Sequence, residues 1–234
     1  MTTGRRSVIR AAVFYLGAVG AIAAVGRFLP AWGDWPVGIT VIVAYLAVPI
    51  AYIERTGRDP VAYGIRDSRP GRSLLRGLAV AGVVLPLFAA VYLAAARWWL
   101  PLPVAEAADI RALGWLRSAW GVLNQVLVGV LFAGITEEVF YRGFLQTELH
   151  NAWGRPWRVG SIAFGPALPV VAVLFGLPHM LWWGNPWGAL VIVPGLAFGF
   201  LREWGGSYVT PAVFHGLCNA AMFTLNGYAF TKGS

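Results

Sequence analysis

The sequence predicts an all-α fold, a polytopic transmembrane helix bundle of about seven spans, on three observations. Of 234 residues, 58% are hydrophobic and only 12% are charged, where a soluble domain carries about a quarter charged. Apolar runs near bilayer length recur along the chain, separated by short polar stretches. No stretch alternates apolar and polar residues over about ten positions, as barrel strands would require.

The formal net charge of +8 comes almost wholly from arginine, Lys232 being the only lysine. These arginines flank the apolar runs, which is the positive-inside pattern of a membrane protein rather than a nucleic-acid footprint, so no nucleic acid is expected as a partner. Cys218 stands alone, which excludes an intrachain disulfide and a cysteine-based zinc cluster.

Arg5, Arg6 and Arg10 precede a first run at 11–29, rich in Ala, Val and Gly. A cleaved signal peptide would have a shorter apolar core and a clean cleavage site, so this run is expected to be a retained anchor with the amino terminus in the cytoplasm. A second run, 35–53, returns to Arg55, Arg58, Arg66, Arg69, Arg72 and Arg76, set against Glu54, Asp59 and Asp67. That loop is the strongest cytoplasmic marker. The third run, 74–100, contains Pro86, which a membrane helix tolerates as a kink. Residues 104–120 mix Glu106, Asp109, Arg111 and Arg117 with Leu113, Trp115 and Leu116, as an interfacial amphipathic helix would.

The fourth run, 121–149, ends before Asn151, Gly154 and Pro156, which are helix-stopping residues. A fifth covers 162–177, a sixth 187–201 with Gly195 and Gly199 four apart, and a seventh 208–225. The expected organisation is an amino-terminal membrane region over 1–119, a catalytic core over 120–225 and a short tail over 226–234. The active site is expected in a cavity between the fourth, fifth and seventh helices.

Within the fourth run, Glu137, Glu138 and Arg142 place charge where charge is expensive. On a helix, Glu138 and Arg142 share a face four residues apart and can pair, offsetting each other's desolvation. Glu137 is turned about 100° away and is left without a local partner, which makes it a functional candidate. Few strongly polar groups in the later runs can answer it: His179, one turn after Phe175, and His215 with Asn219, four apart on one face. Glu137 would act as general base on a water held by His179, with His215 and Asn219 as oxyanion donors. Zinc is the second reading, since Glu and His can ligate it. It ranks lower because no HExxH occurs and Glu138 committed to Arg142 is a poor ligand. A non-catalytic immunity factor, scaffold or transporter using the same cluster is the alternative from another class. His150 reads as structural, suited to a helix end, Cys218 as a small buried hydrophobe, and the tryptophans at run ends as interfacial belts.

Glu137-Glu138-xxx-Arg142, Phe175-xxx-His179 and His215-xxx-Asn219, in that order, resemble the three motifs of the intramembrane glutamic protease family of CAAX-processing and bacteriocin-processing enzymes. The resemblance covers roughly 120–225. It implies that Glu137 and His179 activate water, that His215 and Asn219 stabilise the oxyanion, and that Glu138 and Arg142 support them, with no cofactor. Tyr141 stands where phenylalanine is commoner, and Pro178 where a small residue usually precedes the histidine. Eukaryotic relatives trim the tail after a prenylated cysteine, whereas many bacterial relatives act on peptides or on sorting tails, as myxosortases do. The arginine-rich, lysine-poor composition and compact length point to a bacterial inner-membrane protein. The expected partners are the lipid bilayer and a membrane-delivered peptide or protein tail.

Overall fold

The computed structural model describes residues 2–32, 34–98 and 119–231. The expected interfacial segment falls outside the described residues except at 119 and 120. Helix α1 (Thr3–Phe28) starts where the Thr2 hydroxyl caps the Arg5 amide. Helix α2 spans Trp35–Arg55 and widens to a π turn over Ile42–Ala47. That turn precedes Pro49, which has no amide to close an ordinary turn onto the Tyr45 carbonyl. Helix α3 spans Pro70–Trp98 and presents Leu75, Val83, Leu87 and Val91, each at least 65% exposed, along one stripe.

Among the described residues, three helices are long and apolar enough to cross a membrane: Thr3–Phe28, Trp35–Arg55 and Pro70–Ala94. The chain is therefore membrane-associated, but the expected bundle of about seven spans is not what forms. The reasons are local. The fourth run becomes a helical path over residues 119–153 assembled from α4 (Ala119–Val128), a π segment Gly129–Gly134, α5 (Ile135–Glu138), a second π segment Val139–Leu145 and α6 (Gln146–Trp153). Every side chain from Glu138 to His150 on this path is buried in protein.

The start of the fifth run is a hairpin rather than helix, β1 (Trp157–Val159) antiparallel to β2 (Ile162–Phe164) around Gly160 at φ +57. This hairpin also departs from the all-α expectation. Helix α7 (Ala167–Trp183) follows. The sixth run begins as a 3₁₀ turn, Pro186–Val191, and leaves α8 (Ile192–Gly205) with 14 residues. At 1.5 Å per residue α8 is about 21 Å long, short of a hydrocarbon core of about 30 Å. Helix α9 (Val209–Thr231) closes the fold, and its described apolar part, Val209–Leu225, is likewise shorter than the three amino-terminal spans.

The path from 138 to 150 forms the axis around which the other elements pack. Phe140 stacks on Tyr45 of α2 at 4.5 Å, and Phe144 meets Phe14 of α1 at 4.4 Å. Glu148, wholly buried, accepts from Arg10 Nη2 at 2.8 Å, Arg58 Nη1 at 3.2 Å and the Tyr63 hydroxyl at 2.5 Å. A carboxylate this dry requires such company. Those bonds tie α1 and the loop at 56–69 to α6. On the other side Gln146 donates to the Gly199 carbonyl at 3.1 Å and to Glu203 at 2.7 Å, fixing α8.

Candidate active site

The site is positioned by close backbone contact at glycines. Between the π segment Gly129–Gly134 and α9, a Cβ on Gly134 would lie 2.4 Å from the Ala212 carbonyl oxygen, and one on Gly129 would lie 2.7 Å from that of Gly216. Only bare backbone fits at both positions, so the two segments approach more closely than side chains would allow. His215, between Ala212 and Gly216, is thereby delivered to the carboxylates. Glu137 and Glu138 occupy a single α turn between two π segments. The changed hydrogen-bond register on either side is a device that recurs at functional sites.

Glu138 is the hub. It is wholly buried, and its Oε1 accepts from Arg142 Nη1 at 2.9 Å and from His215 Nδ1 at 2.9 Å. Arg142, also wholly buried, donates from Nη2 to the Gly195 carbonyl at 3.0 Å. Its guanidinium lies 4.5 Å from the Phe175 ring centroid and 5.2 Å from that of Phe198. The His215 ring stacks on Phe198 at 4.6 Å and meets Phe175 edge-on at 5.7 Å. With Nδ1 donating to Glu138, its orientation is fixed and Nε2 points at Glu137, 3.9 Å from Oε2. That Glu137 oxygen is buried and has no hydrogen-bond partner among the described residues, while the side chain as a whole stays 19% exposed.

His179 stands on α7, its Nδ1 donating to the Phe175 carbonyl at 2.8 Å and its ring 4.8 Å from that of Phe175. Pro178 removes the amide that would have bonded to the Leu174 carbonyl. The Tyr15 hydroxyl of α1 donates to that carbonyl instead, at 3.0 Å. Asn219 lies one turn beyond His215 beside Gly129, and it is exposed. The structure thus brings Glu137, Glu138, Arg142, Phe175 and His215 into one cluster and joins His179 to it through Phe175. Asn219 sits at its edge.

The expected grouping of fourth, fifth and seventh helices also needs amending. The cluster rests on α8, the sixth run, through the Gly195 carbonyl and the Phe198 ring. Sequence reasoning missed a further pair of buried phenols, Tyr45 of α2 and Tyr141, whose oxygens are 3.1 Å apart. The available signal was Tyr141 itself, an aromatic departing from the motif by one hydroxyl. Among the described residues no three His, Cys, Asp or Glu side chains are grouped to hold a metal, and Glu138 Oε1 is already committed to Arg142 and His215.

Residues 119–221 match the family model described as Type II CAAX prenyl endopeptidase Rce1-like. The match covers less than half of the chain. It contains every residue of the cluster on α5, α7 and α9, whereas α1, α2 and α3 lie outside it. No curated protein and no solved structure matches the chain.

Proposed function

We propose that the chain is a membrane peptidase of glutamic type that hydrolyses a peptide bond in a membrane-delivered peptide or carboxy-terminal protein tail. Glu137 takes a proton from a water held with His179, and the water oxygen attacks the scissile carbonyl carbon. The carbonyl oxygen becomes an oxyanion met by His215 Nε2 and the Asn219 amide. Collapse breaks the C–N bond as protonated Glu137 returns its proton to the leaving nitrogen, so the base is regenerated. Donation to the oxyanion needs a proton on Nε2 while Nδ1 donates to Glu138, which gives Glu138 its role: it holds the ring in place.

One observation carries this reading. The Glu137 carboxylate and His215 Nε2 face each other at 3.9 Å, a separation that one water can bridge, with Glu138 and Arg142 fixed behind them. The match to an endopeptidase family over the same residues supports it. Composition favours a bacterial inner membrane as the setting.

The test is cleavage by the full chain in liposomes of a panel of membrane-anchored tails, with and without a lipidated cysteine. Glu137→Gln is expected to lower cleavage by about 10²–10⁴-fold with the melting transition unchanged, as loss of a general base does. His179→Ala and His215→Ala should fall in the same range. Cleavage at the unaltered rate in any of the three would remove that residue from the mechanism.

A further inference from the structure

We propose that the chain carries a binding site for the phosphate-bearing headgroup of an anionic lipid where α3 enters the membrane, separate from the carboxylate cluster. A cavity of about 240 Å³ lies between the start of α3 and the end of α8, and Arg69, Arg72 and Arg76 converge on it together with the Ser68 and Ser73 side chains. Among the described residues the one carboxylate in the lining, Asp67, is otherwise engaged. Its Oδ1 accepts from the Arg69 amide at 2.7 Å and its Oδ2 from the Ser207 hydroxyl at 2.5 Å. Among the described residues neither Arg69 nor Arg72 lies within ion-pair distance of a carboxylate. Arg76 is held in place: Nη1 donates to the Trp204 carbonyl at 3.2 Å and the guanidinium lies 4.9 Å over the Trp204 ring.

Three guanidiniums around a cavity of this size suit a phosphate, which accepts several charge-assisted hydrogen bonds at once. What selects a lipid over a free phosphate is the surface that follows. Along α3, on the helix face of Arg72 and Arg76, Val83 and Leu87 are 65% and 66% exposed, on a helix long and apolar enough to cross the bilayer. Trp204, 38% exposed, flanks the same spot as an interfacial side chain would. A headgroup in the cavity lays its acyl chains along that apolar stripe. Orientation of the chain requires arginines near a span end, but not three of them around one cavity.

The test is native mass spectrometry of the full chain released from detergent, titrated with phosphatidylglycerol or phosphatidylcholine of the same acyl chains. A further arm adds millimolar inorganic phosphate. Phosphatidylglycerol should remain bound and phosphatidylcholine should not. Each arginine should contribute about fivefold to retention, so that Arg69→Gln/Arg72→Gln/Arg76→Gln reduces retention to the phosphatidylcholine level. Arg5→Gln/Arg6→Gln, on exposed arginines at the start of α1, should leave it unchanged. If the triple variant does not fold, Arg72→Gln alone, on an exposed side chain, carries the test with an about fivefold loss. Equal retention of the two lipids, or undiminished retention in the arginine variants, would overturn the proposal. So would complete displacement by inorganic phosphate, which would mark a soluble-phosphate site.

Discussion

Helices α1 to α3 and the path from 119 to 153 are both apolar in sequence, yet they are solvated differently. Of the span-length windows of α1, α2 and α3, only 17%, 22% and 11% is buried inside the protein, whereas every side chain from Glu138 to His150 is. The first set turns its leucines and valines outward to lipid. The second is wrapped by the first and by α7 to α9, and it gathers the polar groups: Glu138, Arg142, Gln146, Glu148 and His150 are all buried there. Charge in the low-dielectric interior is tolerated only where protein supplies partners, so the polar chemistry lies on the wrapped helix.

Breaking the wrapped helix should cost far more than altering the outward one. Arg142→Ala leaves Glu138 buried without its guanidinium and is expected to destabilise the fold by about 3–5 kcal/mol, read as loss of the folded fraction in a denaturant titration. Gly134→Ala tests the backbone contact that delivers His215. Its new methyl meets the Ala212 carbonyl, and an overpacking cost of about 1–3 kcal/mol should accompany slower cleavage because α9 is pushed away from Glu137. If cleavage were unchanged in a folded Gly134→Ala, close apposition would not be what sets the site.

His150 sharpens the contrast by pH. Burial pushes its imidazole down from the ordinary 6.5 to about 4, although Glu203 acts in the opposite direction and Arg155 and Arg202 reinforce the fall. Its contact with Glu203 at 3.4 Å is therefore not an ion pair near neutrality. The unfolded chain takes up this proton at higher pH than the folded one, so the contribution of His150 to stability is constant above about 6.5 and declines from there toward about 4. His150→Gln should flatten that part of the melting-temperature profile. The smallest effect belongs to the lipid face, where Leu87→Ala, 66% exposed, should change stability by less than about 0.5 kcal/mol.

The sequence made the helices and the charge pairing legible for physical reasons. Glu138 and Arg142 pair because an i,i+4 spacing on any helix brings them together, and the structure has them at 2.9 Å. The number of spans was not legible from apolar runs alone. A run does not reveal that Gly160 reverses the chain after β1, that Pro186 opens a 3₁₀ turn, or that π segments divide residues 119–153. Those depend on backbone hydrogen bonding, to which hydropathy is blind. The site was legible as a set of residue types but not as a geometry. That His215 takes Glu138 as its anchor and turns only Nε2 to Glu137 is a contact across 77 residues, fixed by glycines whose spacing in a chain with 29 of them carries little signal.

Pro178 adds one consequence about inheritance. The carbonyl it orphans is served by Tyr15, more than a hundred residues outside the segment that matches the endopeptidase family. That segment is therefore not a portable module. Transplanted without α1, the helix bearing His179 would keep its motif and lose the hydroxyl that completes its backbone one turn away, so positions 15 and 178 are expected to vary as a pair.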